Sequence, residues 1–116
     1  MTNWFEAEYL RDGITWIDER NVSPAGNVWL LSGTNRDLVV DTGCGVCDLN
    51  AFVKTLTDKP LSAVATVGYF NHAGGLHQFV DTAIHKDEIQ RITDPNAYNT
   101  VWGKYMKEAR FSQLPF

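Results

Sequence analysis

This 116-residue chain is poor in the residues that mark most functional classes. It has 2 cysteines and 3 histidines. The cysteines are three positions apart, which makes no disulfide framework. Basic residues number 10 against 14 acidic ones, a net charge of -4, with no basic run. The electrostatic footprint of nucleic-acid binding is therefore absent. No apolar stretch approaches the roughly 18 residues of a membrane helix, so no membrane partner is expected. Met1-Thr2-Asn3-Trp4-Phe5-Glu6 has neither the basic region nor the apolar stretch of a secretory signal, so a cytoplasmic protein is expected. There is no Walker pattern and no G-x-G-x-x-G, so nucleotide binding is not indicated.

What is present suffices for one small domain over residues 1–116. A hydrophobic fraction of 44%, with 12% aromatic, excludes a disordered composition. Phe5, Ala7 and Tyr9 alternate with Glu6 and Glu8, a strand pattern. Asp12-Gly13 signals a turn, and Ile14 to Ile17 restarts a strand. Pro24 and Gly26 make 21–26 a loop. Val28–Ser32 and Leu38–Asp41 flank Gly33 to Arg36 as a hairpin. Leu49, Phe52, Val53 and Leu56 fall on one helix face, with Asp48 as N-cap. The sequence Ala63 to Val67 reads as a strand, 73–79 as a short helix with Leu76 and Phe79 inward, Ala83-Ile84 as a strand and 87–92 as a helix. Val101, Trp102, Tyr105, Met106 and Ala109 suit an amphipathic helix in a tail over about 97–111.

The segment Thr66-Val67-Gly68-Tyr69-Phe70-Asn71-His72-Ala73-Gly74-Gly75 resembles the T-H-x-H-x-D-H-x-G-G signature of the metallo-β-lactamase superfamily. Upstream, Gly26-Asn27-Val28-Trp29-Leu30-Leu31 and Asp37-Leu38-Val39-Val40-Asp41-Thr42-Gly43 resemble the family's opening strands. The resemblance covers about residues 16–92. It implies an α/β (α+β) fold: half of an αββα sandwich, a mixed sheet with helices on one face. Members of the superfamily usually contain two such halves, and this chain is long enough for the first.

The resemblance also shows what has changed. The first two motif histidines fall on Val67 and Tyr69, the aspartate falls on Asn71, and only His72 matches. Catalytic zinc takes about three nitrogen, oxygen or sulfur ligands. Valine has no lone pair, and neutral tyrosine and asparagine are poor ligands. No catalytic residue, cofactor site or metal site is therefore expected, only the vestigial positions Val67, Tyr69, Asn71 and His72. Asn71 in place of aspartate removes a carboxylate that no metal would neutralise. His72 is expected near the loop of Asp41, a residue that orders the loops around the site in this family.

Cys44-Gly45-Val46-Cys47 has a redox or zinc spacing, and the Asp-Thr-Gly loop lies near the family's metal pocket. Asp41, Cys44 and Cys47 are thus candidate pocket residues beside His72. Two buried, inert thiols are the plainer reading. His77 and His85 are expected to make ordinary surface contacts.

Two functional readings follow. In the first, the chain is non-catalytic, a binding or assembly module or a remnant. In the second, it is a metal-dependent hydrolase whose zinc site is completed by Cys44, Cys47, His72 or a partner subunit. An uncovered sheet face should not stay in water, so a homodimer that rebuilds the sandwich is expected.

Overall fold

A computed structural model describes residues 4–23, 26–93 and 110–111. Its centre is a six-stranded sheet in the order β1-β2-β4-β5-β6-β7. The strands are β1 (Phe5–Arg11), β2 (Ile14–Glu19), β4 (Asn27–Leu31), β5 (Asp37–Val40), β6 (Leu61–Ala65) and β7 (Thr82–Ile84). The first four pair antiparallel, and β5, β6 and β7 run parallel. This is the expected mixed sheet. The hairpin between β1 and β2 turns on Asp12 and Gly13, both at positive φ (51° and 77°). That geometry matches the right-handed twist of the flanking strands, and Asp-Gly suits it.

Alternation fixes which face is buried. Ile17, Val28, Leu30, Val39, Ala63 and Ala65 point to one side and are buried. Onto them pack α1 (Leu49–Val53), α2 (Phe70–Ala73) and a 3-10 turn at Leu76–Gln78, through Leu49, Val53, Phe70, Ala73 and Leu76. Asp48 caps α1, its Oδ1 accepting the Ala51 amide at 2.9 Å. The helix ends at Val53, so Leu56 lies beyond it and is 41% exposed rather than inward. The helix expected over 73–79 is split into α2 and the 3-10 turn, with Leu76 and Phe79 buried as expected. Close approach explains the split. A Cβ on Gly74 would strike the Cys44 backbone, and one on Gly75 would strike the Thr42 carbonyl.

After β7, a 3-10 turn (Lys86–Glu88) leads into α3 (Ile89–Thr93). The loop expected over 21–26 contains a short strand, β3 (Val22–Ser23), which pairs antiparallel with β8 (Arg110–Phe111). The last two residues of the expected helical tail are therefore extended. Residues 97–109 lie outside the described residues. Among the described residues, no helix is long and apolar enough to cross a membrane.

Candidate functional site

The motif residues gather at the carboxyl ends of β5 and β6. Asp41 follows β5 in the left-handed region (φ 63°), a conformation that disfavours a side chain with a Cβ. Its hydrogen bonds account for that strain. The carboxylate accepts the Thr66 amide at 2.7 Å and the Thr66 hydroxyl at 2.9 Å. Its other oxygen lies 2.8 Å from His72 Nδ1. The Thr42 amide and hydroxyl both donate to the His72 carbonyl, at 2.7 and 2.9 Å. The loop after β5 and the motif loop after β6 are thus tied together at two points. The structure brings His72 to Asp41, as the motif implied.

The hydrogen-bond chemistry sets the imidazole tautomer. Asp41 accepts, so Nδ1 carries a proton, and in the neutral ring Nε2 is then the nitrogen with the lone pair. A carboxylate behind an imidazole is the usual outer partner of a metal-binding histidine. Here that outer pair persists beside altered neighbours. Val67 is half-buried, and Asn71 lies beside His72. Tyr69 is 36% exposed, with the Arg91 guanidinium 5.0 Å from its ring centroid. Arg91 reaches back from α3, held by Glu88 at 2.7 Å. Gly68 permits this, since a Cβ there would come within 2.8 Å of the Arg91 Cβ. A cation thus lies over the ring that occupies the second histidine position.

The cysteines do not join this cluster. The Cys44 thiol turns to Glu19, donating to Oε1 at 3.0 Å, and the Cys44 amide donates to Oε2 at 2.9 Å. Burial, and then the Glu19 carboxylate, push the Cys44 thiol well above the usual range. The same causes raise Cys47. The pocket expected from Asp41, Cys44 and Cys47 is therefore divided, with Asp41 on the His72 side and Cys44 on the Glu19 side. Among the described residues, no three His, Cys, Asp or Glu side chains are grouped to hold a metal ion. A raised pKa leaves less thiolate at a given pH, and the thiolate is the reactive form. Cys44 in the folded chain should thus react with a disulfide reagent at pH 8 at least ~100-fold more slowly than a free thiol. Cys47, which is less buried, should react first. Thiol titration in buffer and in guanidinium checks this, and rapid labelling of both in buffer would contradict it.

Glu19 is the residue that the sequence reading missed. It is fully buried, and it also accepts the Trp4 indole N–H at 2.9 Å. Gly43 (φ 66°) lies against it, with space for no Cβ, which would come within 2.6 Å of Oε2. A signal was available. Ile17 and Glu19 share a face of β2, so the alternation that buries one buries the other. His77 and His85 are exposed, and His85 Nδ1 accepts the Asp87 amide at 3.2 Å.

Sheet order, the loop linkage and the Asp-His pair together define a class. The chain carries the N-terminal half of the metallo-β-lactamase fold. It superposes on a metallo-β-lactamase from Erythrobacter litoralis with a TM-score of 0.70 at 14% identity, covering 89% of this chain and 51% of that one. A metallo-β-lactamase from Hirschia baltica gives 0.66 at 17% identity, covering 78% and 47%. In sequence, the chain is similar to acyl-coenzyme A thioesterase MBLAC2 of Homo sapiens and of Bos taurus, each 36% identical over 112 residues. It spans 40% of the length of those relatives. No family model matches the chain.

Proposed function

We propose that this chain is a metal-free member of the metallo-β-lactamase fold, a non-catalytic binding or assembly module. The observation that carries this reading is the donor set around His72. Zinc needs about three ligands of suitable type, and the four motif positions supply one imidazole. Val67 offers no lone pair, and Tyr69 carries a guanidinium on its ring. A bound dication beside Arg91 would meet a like charge. These residues do not fit a catalytic zinc.

The alternative is a hydrolase with a site completed by Cys44 or Cys47, or by a partner subunit. The thioesterase name of its relatives keeps that reading in view, since MBLAC2 is named for acyl-coenzyme A. The orientation of Cys44 speaks against its own share in such a site, because its thiol donates to Glu19.

The test has two measurements on one preparation purified without chelator. Elemental analysis should find well under one zinc, iron or manganese per chain. Release of free coenzyme A from an acyl-coenzyme A thioester should match the rate without protein. Stoichiometric metal together with thioester cleavage would overturn the proposal.

A further inference from the structure

We infer that Cys44 and Cys47 form a redox-active pair that closes to a disulfide on reaction with a small-molecule disulfide, with Glu19 accepting the proton of the ring-closing thiol. This goes beyond the reading above and is independent of it, because Asp41 and His72 take no part.

The loop after β5 brings the necessary groups together. Both cysteines are free thiols. Between them the chain bends through Gly45, Val46 and Cys47, with Gly45 in the left-handed region (φ 81°). A reversal over four residues brings its end Cα atoms within about 7 Å. A disulfide spans about 4.4–6.8 Å between Cα atoms. The two thiols differ in access, Cys44 being buried and Cys47 half-buried. Glu19 serves both. Its Oε1 accepts the Cys44 S–H at 3.0 Å, and its negative charge also acts on the Cys47 thiol. A carboxylate out of water is costly unless it is partnered. Two of the three donors that converge on Glu19 belong to Cys44. Thiols that only filled space would need no such neighbour.

The exchange balances with glutathione disulfide as the oxidant. The Cys47 thiolate attacks one sulfur of the reagent. A Cys47–glutathione bond forms, the reagent's S–S bond breaks, and one glutathione thiolate leaves. Cys44 then attacks the Cys47 sulfur as its proton passes to Glu19 Oε1. The Cys44–Cys47 bond forms, the bond to glutathione breaks, and a second glutathione thiolate leaves. The protons of Cys47 and Glu19 reach the two departing thiolates through water. The cysteine pair loses two electrons, and one glutathione disulfide gains them as two glutathiones. Cys44 itself never carries glutathione. Burial, and then the charge of Glu19, raise both thiols, so the exchange is slower than between free thiols.

Closure would reach the motif loop. A Cβ on Gly45 would strike the Gly74 carbonyl, and one on Gly74 would strike the Cys44 backbone. Turning the Cys44 sulfur toward Cys47 takes one donor from Glu19, which retains the Trp4 indole and the Cys44 amide.

The test is intact mass of the folded, fully reduced chain during incubation with glutathione disulfide at about pH 8, where thiolate is available. A transient adduct of one glutathione should give way to a chain lighter by two hydrogens, and a proteolytic map should join Cys44 to Cys47. The closing step should not depend on the concentration of chain or reagent. Cys44→Ala should stop at the single adduct. Cys47→Ala should take up glutathione at least ~10-fold more slowly than the unaltered chain. Glu19→Gln should accumulate the adduct, because an amide cannot take the proton. Should these variants unfold, the Trp4 indole N–H signal of the unaltered chain gives a second measure. It shares Glu19 with the Cys44 thiol, so it should move on oxidation and return with dithiothreitol. An adduct that persists in the unaltered chain would overturn the inference. So would two glutathiones on one chain, a disulfide between chains, or no reaction of the folded chain.

Discussion

The combined variant Val67→His, Tyr69→His, Asn71→Asp should take up zinc, close to one ion per chain, where the unaltered chain takes up little. The replacements add two imidazoles and a carboxylate to His72, whose ring is already aimed by Asp41 at 2.8 Å. Such an outer carboxylate partner fixes the tautomer and raises ligand basicity. The main cost is local. Removing the Tyr69 ring forfeits its contact with Arg91, worth about 0.5–1 kcal/mol at an exposed site. In the absence of metal the variant should therefore be somewhat less stable than the parent. Zinc should reverse this, because a ligand that binds only the folded state stabilises it. The gain is about 2.7 kcal/mol at a hundredfold excess over the dissociation constant. The checks are elemental analysis and the melting temperature with and without zinc. A variant that folds but takes up no zinc would show that the motif loop does not occupy the metal-binding frame. That result would remove the basis for calling these positions vestigial.

Glu19→Ala should be the most damaging single substitution outside the apolar core. Three donors converge on this carboxylate: the Trp4 indole, the Cys44 amide and the Cys44 thiol. Alanine would remove the acceptor that the three share and open a cavity beside Gly43. Each buried donor that loses its acceptor costs about 1–3 kcal/mol, so the loss should be about 3 kcal/mol or more. Small domains are stable by about 5–15 kcal/mol in total, so much of the margin would go. Glu19→Gln keeps the volume and one acceptor oxygen, and it should lose distinctly less. Urea unfolding of both variants measures the difference. Equal and small losses would show that Glu19 fills space and does not hold the loop. Hydrogen exchange adds a spatial check, since the amides of residues 42–47 should lose protection in the alanine variant before those of β5 and β6.

Much of the architecture is legible in the chain itself, because local periodicity and turn chemistry act over a few residues. The alternation in β1 and β2, the Asp12-Gly13 turn and the Asp48 cap are of this kind. So is the apolar run of β5, which sits between two neighbours in the sheet. The motif frame shows which ligand types are absent, since a valine at position 67 has no lone pair in any conformation.

Other features depend on residues distant in sequence. Leu56 follows the helical period, but α1 ends before it, and no pattern within the segment sets that end. Cys44 and Cys47 have a metal-like spacing. Yet a thiol's direction depends on what lies across the fold, and Glu19, 25 positions away, takes the Cys44 thiol. Charge on Glu19 marks it as a surface residue until the strand's two-residue period is weighed against the donors that meet it. The pairing of Asp41 with His72 likewise spans 31 positions. The sequence by itself determined the strand and turn pattern and the loss of ligand atoms, since both depend on residue chemistry at fixed spacing. Tertiary structure alone decided which polar groups meet, because a hydrogen bond between distant residues exists only once the sheet has brought its loops together.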